Sequence, residues 1–242
     1  MKSTPFKLEV CIDTPDGLQA CQNGVDTIEL CSALAVGGLT PSAGQISLAR
    51  TSFVPVHAMI RPRAGNFIYL PHEIDVALGD IDAVKSAKLA GIVIGASTAE
   101  AMLDLPVLNK MIAASGSLIR TLHRVIDTLD DPFVALDQAI DLGFSRILTS
   151  GSSFNAQDGM ACLRKLQERA RGRIEIVAGS GVNARNILEI GNATGVRSFH
   201  ASCRSPVEQD KITVGFGFAP EFMNKTDPQK IKQLRSVLVA AA

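Results

Sequence analysis

Short runs rich in Val, Ile and Leu alternate with longer segments of near-3.6 period along the chain. The runs predict strands at 8–12, 27–31, 55–60, 91–95, 118–123, 146–149, 174–178 and 198–202. Helical periodicity is clearest over 131–142 and 157–170, and a last helix is expected near 228–239. Asp131 before Pro132 reads as a helix cap, and Asn183 is expected to stand before another helix. Gly143 and Gly191 fall where helices should stop. Strands alternating with helices imply βαβ units and a parallel sheet. Eight such units predict an α/β fold of the (β/α)8 TIM-barrel type, with residues 1–242 as one domain. The Gly- and Phe-rich stretch 208–226 is expected to be an irregular excursion before the last helix. No GxGxxG follows the first strand, which argues against a dinucleotide-binding open sheet.

Parallel strands covered on both faces are normally apolar throughout. Here several carry polar residues two apart: Glu9 and Cys11, Glu29 and Cys31, His57 with Met59 and then Arg61, Thr121 and His123, His200 and Ser202. Residues two apart share a face. The opposite set, including Val10, Ile28, Leu30, Val56, Ala58, Leu122 and Phe199, is apolar and suits the helix layer. The polar set should therefore point into the barrel, near the C-terminal ends of the strands where barrel enzymes place their chemistry. Glu9, Glu29, His123 and His200 become candidate proton carriers. The plain alternative for any one of them is a satisfied buried ion pair or hydrogen bond.

Lys and Arg total 24 and so do Asp and Glu, so the formal net charge is zero and nothing suggests a nucleic-acid partner. No apolar run reaches a membrane span's length, and residues 1–9 do not resemble a secretory leader, so no membrane partner is expected. Five widely spaced cysteines without a CxxC pair fit reduced thiols and a cytoplasmic location.

The loops add candidate anion ligands. Arg61 and Arg63 sit on a Pro/Gly-stiffened segment after the third strand, and the guanidinium fork matches carboxylate or phosphate. Arg124 follows the fifth strand and Ser150 the sixth. Gly179 and Gly181 follow the seventh, where barrels often bind phosphate. Asp127 could orient a basic group or simply pair with Arg124. Cys11 and Cys31 end adjacent strands on the inward face. Thiolates there, with Met59 near, suit Cu(I) or zinc, although buried cysteine is also an ordinary small apolar residue.

Leu8-Glu9-Val10-Cys11, Ile28-Glu29-Leu30-Cys31, the stretch Gly37 to Ser42, Met59-Ile60-Arg61-Pro62-Arg63, His123-Arg124, Arg146 to Gly151 and Phe199-His200-Ala201-Ser202 stand in one order. The pattern, from about Lys7 to Arg204, resembles the copper homeostasis protein CutC family. The resemblance implies a cytoplasmic (β/α)8 barrel, often a homo-oligomer, linked by name to copper, with Cys11 and Cys31 as the proposed Cu(I) ligands. This chain departs from the family pattern in lacking a carboxylate at Asn66 and in carrying Val125-Ile126 after His123-Arg124. Two readings follow. One is a protein that binds or handles Cu(I). The other is a barrel enzyme acting on a small anionic, even phosphorylated, metabolite.

Overall fold

The computed structural model describes residues 6–241. Eight parallel strands close into a barrel in sequence order: β1 Lys7–Ile12, β2 Thr27–Leu30, β3 Val56–Met59, β4 Gly91–Ile94, β5 Ile119–Leu122, β6 Arg146–Thr149, β7 Glu175–Ala178 and β8 Ser198–Ala201. Between them run α1 Pro15–Ala20, α2 Ala43–Ala49, α3 Pro71–Ser86, α4 Leu105–Ser115, α5 Pro132–Asp141, α6 Met160–Ala170 and α7 Ile187–Thr194. The predicted (β/α)8 barrel is thus the observed fold, and each predicted strand overlaps an observed one. Local chemistry sets the helix starts. Asp131 Oδ1 accepts from the Phe133 and Val134 amides ahead of α5, and Ser42 with Gln45 closes a reciprocal cap on α2.

The face assignment holds. Val10, Ile12, Ile28, Leu30, Ala58, Ile60, Ile92, Ile94, Leu122, Ile147, Ile176 and Phe199 are buried in one continuous apolar core between barrel and helices. Cys31, Met59 and Val93 form a separate small cluster inside the barrel. Closure pairs Glu9 with His200 across β1 and β8, and Glu29 with His57 across β2 and β3.

Two local expectations are corrected. The segment 208–226 is ordered: β9 Arg204–Glu208 and β10 Phe222–Thr226 form an antiparallel hairpin around α8 Lys211–Gly215. Its exposed strands have no buried face, so they leave no period-two pattern to read. Asn183 does stand before α7; its side chain accepts from the Arg185 amide in a turn, and the helix begins at Ile187. Gly191 lies inside α7, which ends at Gly195 with φ +76°. A Cβ at Gly191 would stand 3.0 Å from Phe199 and 3.2 Å from Phe6, so close packing explains that glycine. The last helix, α9 Pro228–Ala240, buries Ile231, Leu234 and Leu238 and ties back through Arg235 to Asp26 at 2.8 Å.

Candidate active site

Strand polarity places a row of charged groups along the barrel axis. At the N-terminal end Lys7 meets Glu175 at 2.8 Å. Glu175 accepts from Arg146 Nε at 2.8 Å, and Arg146 Nη1 reaches Glu9 at 2.6 Å. Arg146 also donates to His57 Nδ1 at 3.1 Å. A guanidinium only donates, so the His57 proton sits on Nε2. Burial, opposed by Glu9 and aided by Arg146, lowers the His57 pKa to about 4. Burial also works against the charge of Glu9, but Arg146 and then His200 outweigh it and hold this carboxyl well below the usual range.

The row ends at the C-terminal mouth. Glu9 Oε1 accepts from His200 Nδ1 at 2.9 Å, which turns His200 Nε2 toward Glu29 Oε2, 3.9 Å away. Burial disfavours an imidazolium, yet the surrounding Cys11 sulfur, Glu29 and Glu9 raise the His200 pKa well above its ordinary value. Burial raises that of Glu29, with His200 opposing and Glu9 adding to the rise. Both shifts favour the protonated forms of Glu29 and His200, while Glu9 is held anionic by its partners. Glu29 Oε1 is buried with no hydrogen-bond partner.

This pair lies in a cavity of about 1070 Å³ that occupies the mouth of the barrel. Cys11 joins Glu29 and His200 on its floor. Arg61, Phe67 and His123 line one side; Arg124 and Asp127 line another; Gly181, Asn183 and Arg204 lie toward β7 and β8. Of the cationic side chains, Arg124 is neutralised by Asp127 at 2.8 Å. Neither Arg61 nor Arg204 meets a carboxylate among the described residues. The wall therefore carries excess positive charge.

The candidates read from sequence separate into those the cavity gathers and those it does not. Glu29, His200, Cys11, His123, Arg61, Arg124 and Gly181 line it. Glu9 sits just beneath as the partner of His200. Arg63 instead turns its guanidinium to Glu73 and to loop carbonyls at Asn66 and Ile68, outside the cavity. Ser150 is fully buried and spends its amide and hydroxyl on Asp127 and on the Ser153 carbonyl. The Gly179 amide is taken by the Thr149 carbonyl at 3.0 Å. Arg63, Ser150 and Gly179 are thus corrected from anion ligands to braces of their loops.

His123 is also redirected. Its Nδ1 accepts from the Val125 amide at 3.1 Å, capping a 3-10 turn over Arg124–Thr128. Burial, with the nearby Arg61 charge, lowers its pKa to about 3, so it is a neutral ring with its proton on Nε2. Gly95 makes room for it: a Cβ there would stand 2.4 Å from the ring.

The two strand-end cysteines diverge. The donor atoms of Cys11, Glu29 and His200 all lie within 4.8 Å of one another. Cys31 is outside that set, fully buried beside Met59 and Val93. Its thiol donates to Glu29 Oε2 at 3.5 Å, and burial together with Glu29 raises its pKa well above 9.0. All five cysteines are free thiols.

Strand patterning does not single out Arg146, Glu175, Phe67 or Arg204. A signal for Arg146 exists, since Arg146 and Leu148 share the inward face of β6. A charged residue at a strand's first position nonetheless reads as solvated rim.

Comparison with known proteins agrees with this architecture. The CutC family model matches residues 6–205. A family protein CutC of Rhizobium meliloti strain 1021 is 45% identical over 239 residues, covering 98% of each chain. A Streptococcus agalactiae structure bearing the name copper homeostasis protein CutC superposes with a TM-score of 0.79 at 32% identity, covering 81% of this chain and 98% of its own. The thiamine phosphate pyrophosphorylase of Pyrococcus furiosus, at 18% identity and TM-score 0.58 over 97% and 96% of the two chains, shares the fold alone. By the extent of the family match, the identity to its relatives and the common barrel, this chain belongs to the CutC family.

Proposed function

We propose that the barrel is an enzyme that moves protons on a small anionic metabolite held in its C-terminal mouth. The observation that carries this reading is the Glu29–His200 pair on the cavity floor, backed by the buried Glu9–Arg146 ion pair. Glu9 fixes the orientation of His200 and stabilises its charge, much as a buried carboxylate does for a catalytic histidine. His200 Nε2 is then the proton donor. Glu29, its pKa raised by burial, stands across from His200 Nε2 to take a proton and return it. The uncompensated charge of Arg61 and Arg204 favours an anionic ligand. The test is incubation in D2O with a panel of small carboxylates and phosphorylated metabolites, read by proton NMR. Wild type should exchange a carbon-bound hydrogen or convert at least one member, and Glu29→Gln should lose that activity while remaining folded. Equal activity in both proteins, or none with any member, would overturn the reading.

A second reading, Cu(I) binding in keeping with the name of the Streptococcus agalactiae relative, is favoured by the convergence of Cys11, Glu29 and His200. The donor set is harder than Cu(I) prefers: one thiol, one carboxyl and one imidazole. Cys31, the second sulfur, resists losing its proton and does not line the cavity. Competition against a Cu(I) chelator decides. Stoichiometric binding lost in Cys11→Ser and kept in Cys31→Ser supports a site at this cluster, and equal weak binding in all three proteins removes it.

A further inference from the structure

Arg61 is a buried cation without a counter-ion. It is 6% exposed, lines the cavity and meets no carboxylate among the described residues. Of its five N–H groups, Nη1 gives two to the Val36 and Gly38 carbonyls and Nη2 gives one to that of Gly65. Nε is buried with no partner. Elsewhere in the chain the same edge is met: Nε of Arg63, Arg124, Arg146 and Arg169 donates to a carboxylate, and Nε of Arg120, Arg173 and Arg235 to a backbone carbonyl. Leaving a guanidinium edge buried and unmet is costly, unless a ligand completes it.

A second unmet donor lies on the same cavity wall. His123 Nε2 is buried without a partner, and because Nδ1 accepts from Val125, this nitrogen carries the proton. Phe67 covers both side chains. Its ring centroid is 4.7 Å from that of His123 and 5.0 Å from the Arg61 guanidinium carbon. Phe67 is itself half-buried on the cavity wall.

We infer that Arg61 and His123 form a carboxylate-binding subsite under Phe67, and that the metabolite carries a carboxylate at this end. The inference rests on the proposed enzyme function and specifies its substrate class. The free guanidinium edge suits the two oxygens of a carboxylate, and the imidazole N–H adds a third donor. Both donor atoms are buried, so the Phe67 ring that contacts both residues has to shift for the group to reach them. His123 thereby passes from proton carrier to fixed hydrogen-bond donor.

The test uses the full chain labelled with 15N-histidine, with acetate, malonate and inorganic phosphate as probes. Either carboxylate should shift the His123 Nε2–H resonance saturably, and phosphate should not. Arg61→Lys keeps the charge but lacks the fork, and should bind the carboxylate about 10- to 100-fold more weakly. Arg61→Met should do the same or worse; if it does not fold, the wild-type titration and Arg61→Lys decide. Preference for phosphate, no response to either carboxylate, or affinity unchanged in Arg61→Lys would each overturn the subsite. Glu29→Gln should retain the His123 response. An intact response with no proton exchange on any metabolite would therefore sink the enzyme reading alone, and exchange without the response would sink the subsite alone.

Discussion

Replacing Arg146 by Met tests whether the polar row through the barrel is a brace. Arg146 is 7% exposed and touches Glu9 at 2.6 Å, Glu175 at 2.8 Å and His57 at 3.1 Å. Glu175 keeps Lys7 and Ser198 when Arg146 is lost. Glu9, buried at 3% exposure, keeps only His200. The loss therefore comes mainly from stranding the Glu9 carboxylate. Removing one partner of a buried ion pair typically costs about 3–5 kcal/mol. That is a large share of the roughly 5–15 kcal/mol by which domains are stable. Urea unfolding at pH 7 of wild type, Arg146→Met, Glu9→Gln and the double variant measures it. The double variant should be less destabilised than the sum of the singles by about 1–3 kcal/mol, since it leaves no unpaired charge. A loss below about 1 kcal/mol in Arg146→Met, or strict additivity in the cycle, would refute the buried brace.

Three further outcomes are expected. Glu29 has a raised pKa, so folding disfavours its ionisation. That penalty is absent below its ordinary 4.5 and grows as pH rises above it. Glu29→Gln should thus melt at or above the wild-type temperature at pH 8 while losing activity, and a clearly lower melting temperature would contradict this. His57 and His123 are held neutral with pKa values lowered to about 4 and about 3. Their contribution is complete above the ordinary 6.5 and drains away as pH falls from there, so His57→Gln should show a shallower loss of stability between pH 6.5 and 4 in urea melts. Gly95→Ala would bring a methyl to 2.4 Å from the His123 ring. It should destabilise by about 1–3 kcal/mol and change the His123 Nε2–H shift, and an unchanged spectrum would show that the ring is not held there.

Much of the molecule is legible from periodicity alone. Glu9 and Cys11, Glu29 and Cys31, and His57 and Met59 stand two apart on strands whose other face is apolar, and that alternation is enough to assign the inward face. The eight βα repeats point to the barrel in the same way, because period and caps are local properties. The hairpin 204–226 is invisible for the converse reason: with no buried face it imposes no pattern. What meets what is decided elsewhere. Closure sets Glu9 beside His200, residues 191 positions apart, and stagger brings the start of β6 level with the middle of β1, so that Arg146 reaches Glu9. Strand register and shear belong to the whole closed sheet, and no stretch of a few residues encodes them. The same closure leaves Cys31 sealed against Met59 while Cys11 opens to the cavity, although the two strand ends look alike in sequence. Sequence determined which residues face the interior; the tertiary structure decided which of them meet across the barrel, which hold a loop, and which guanidinium edge was left without a partner.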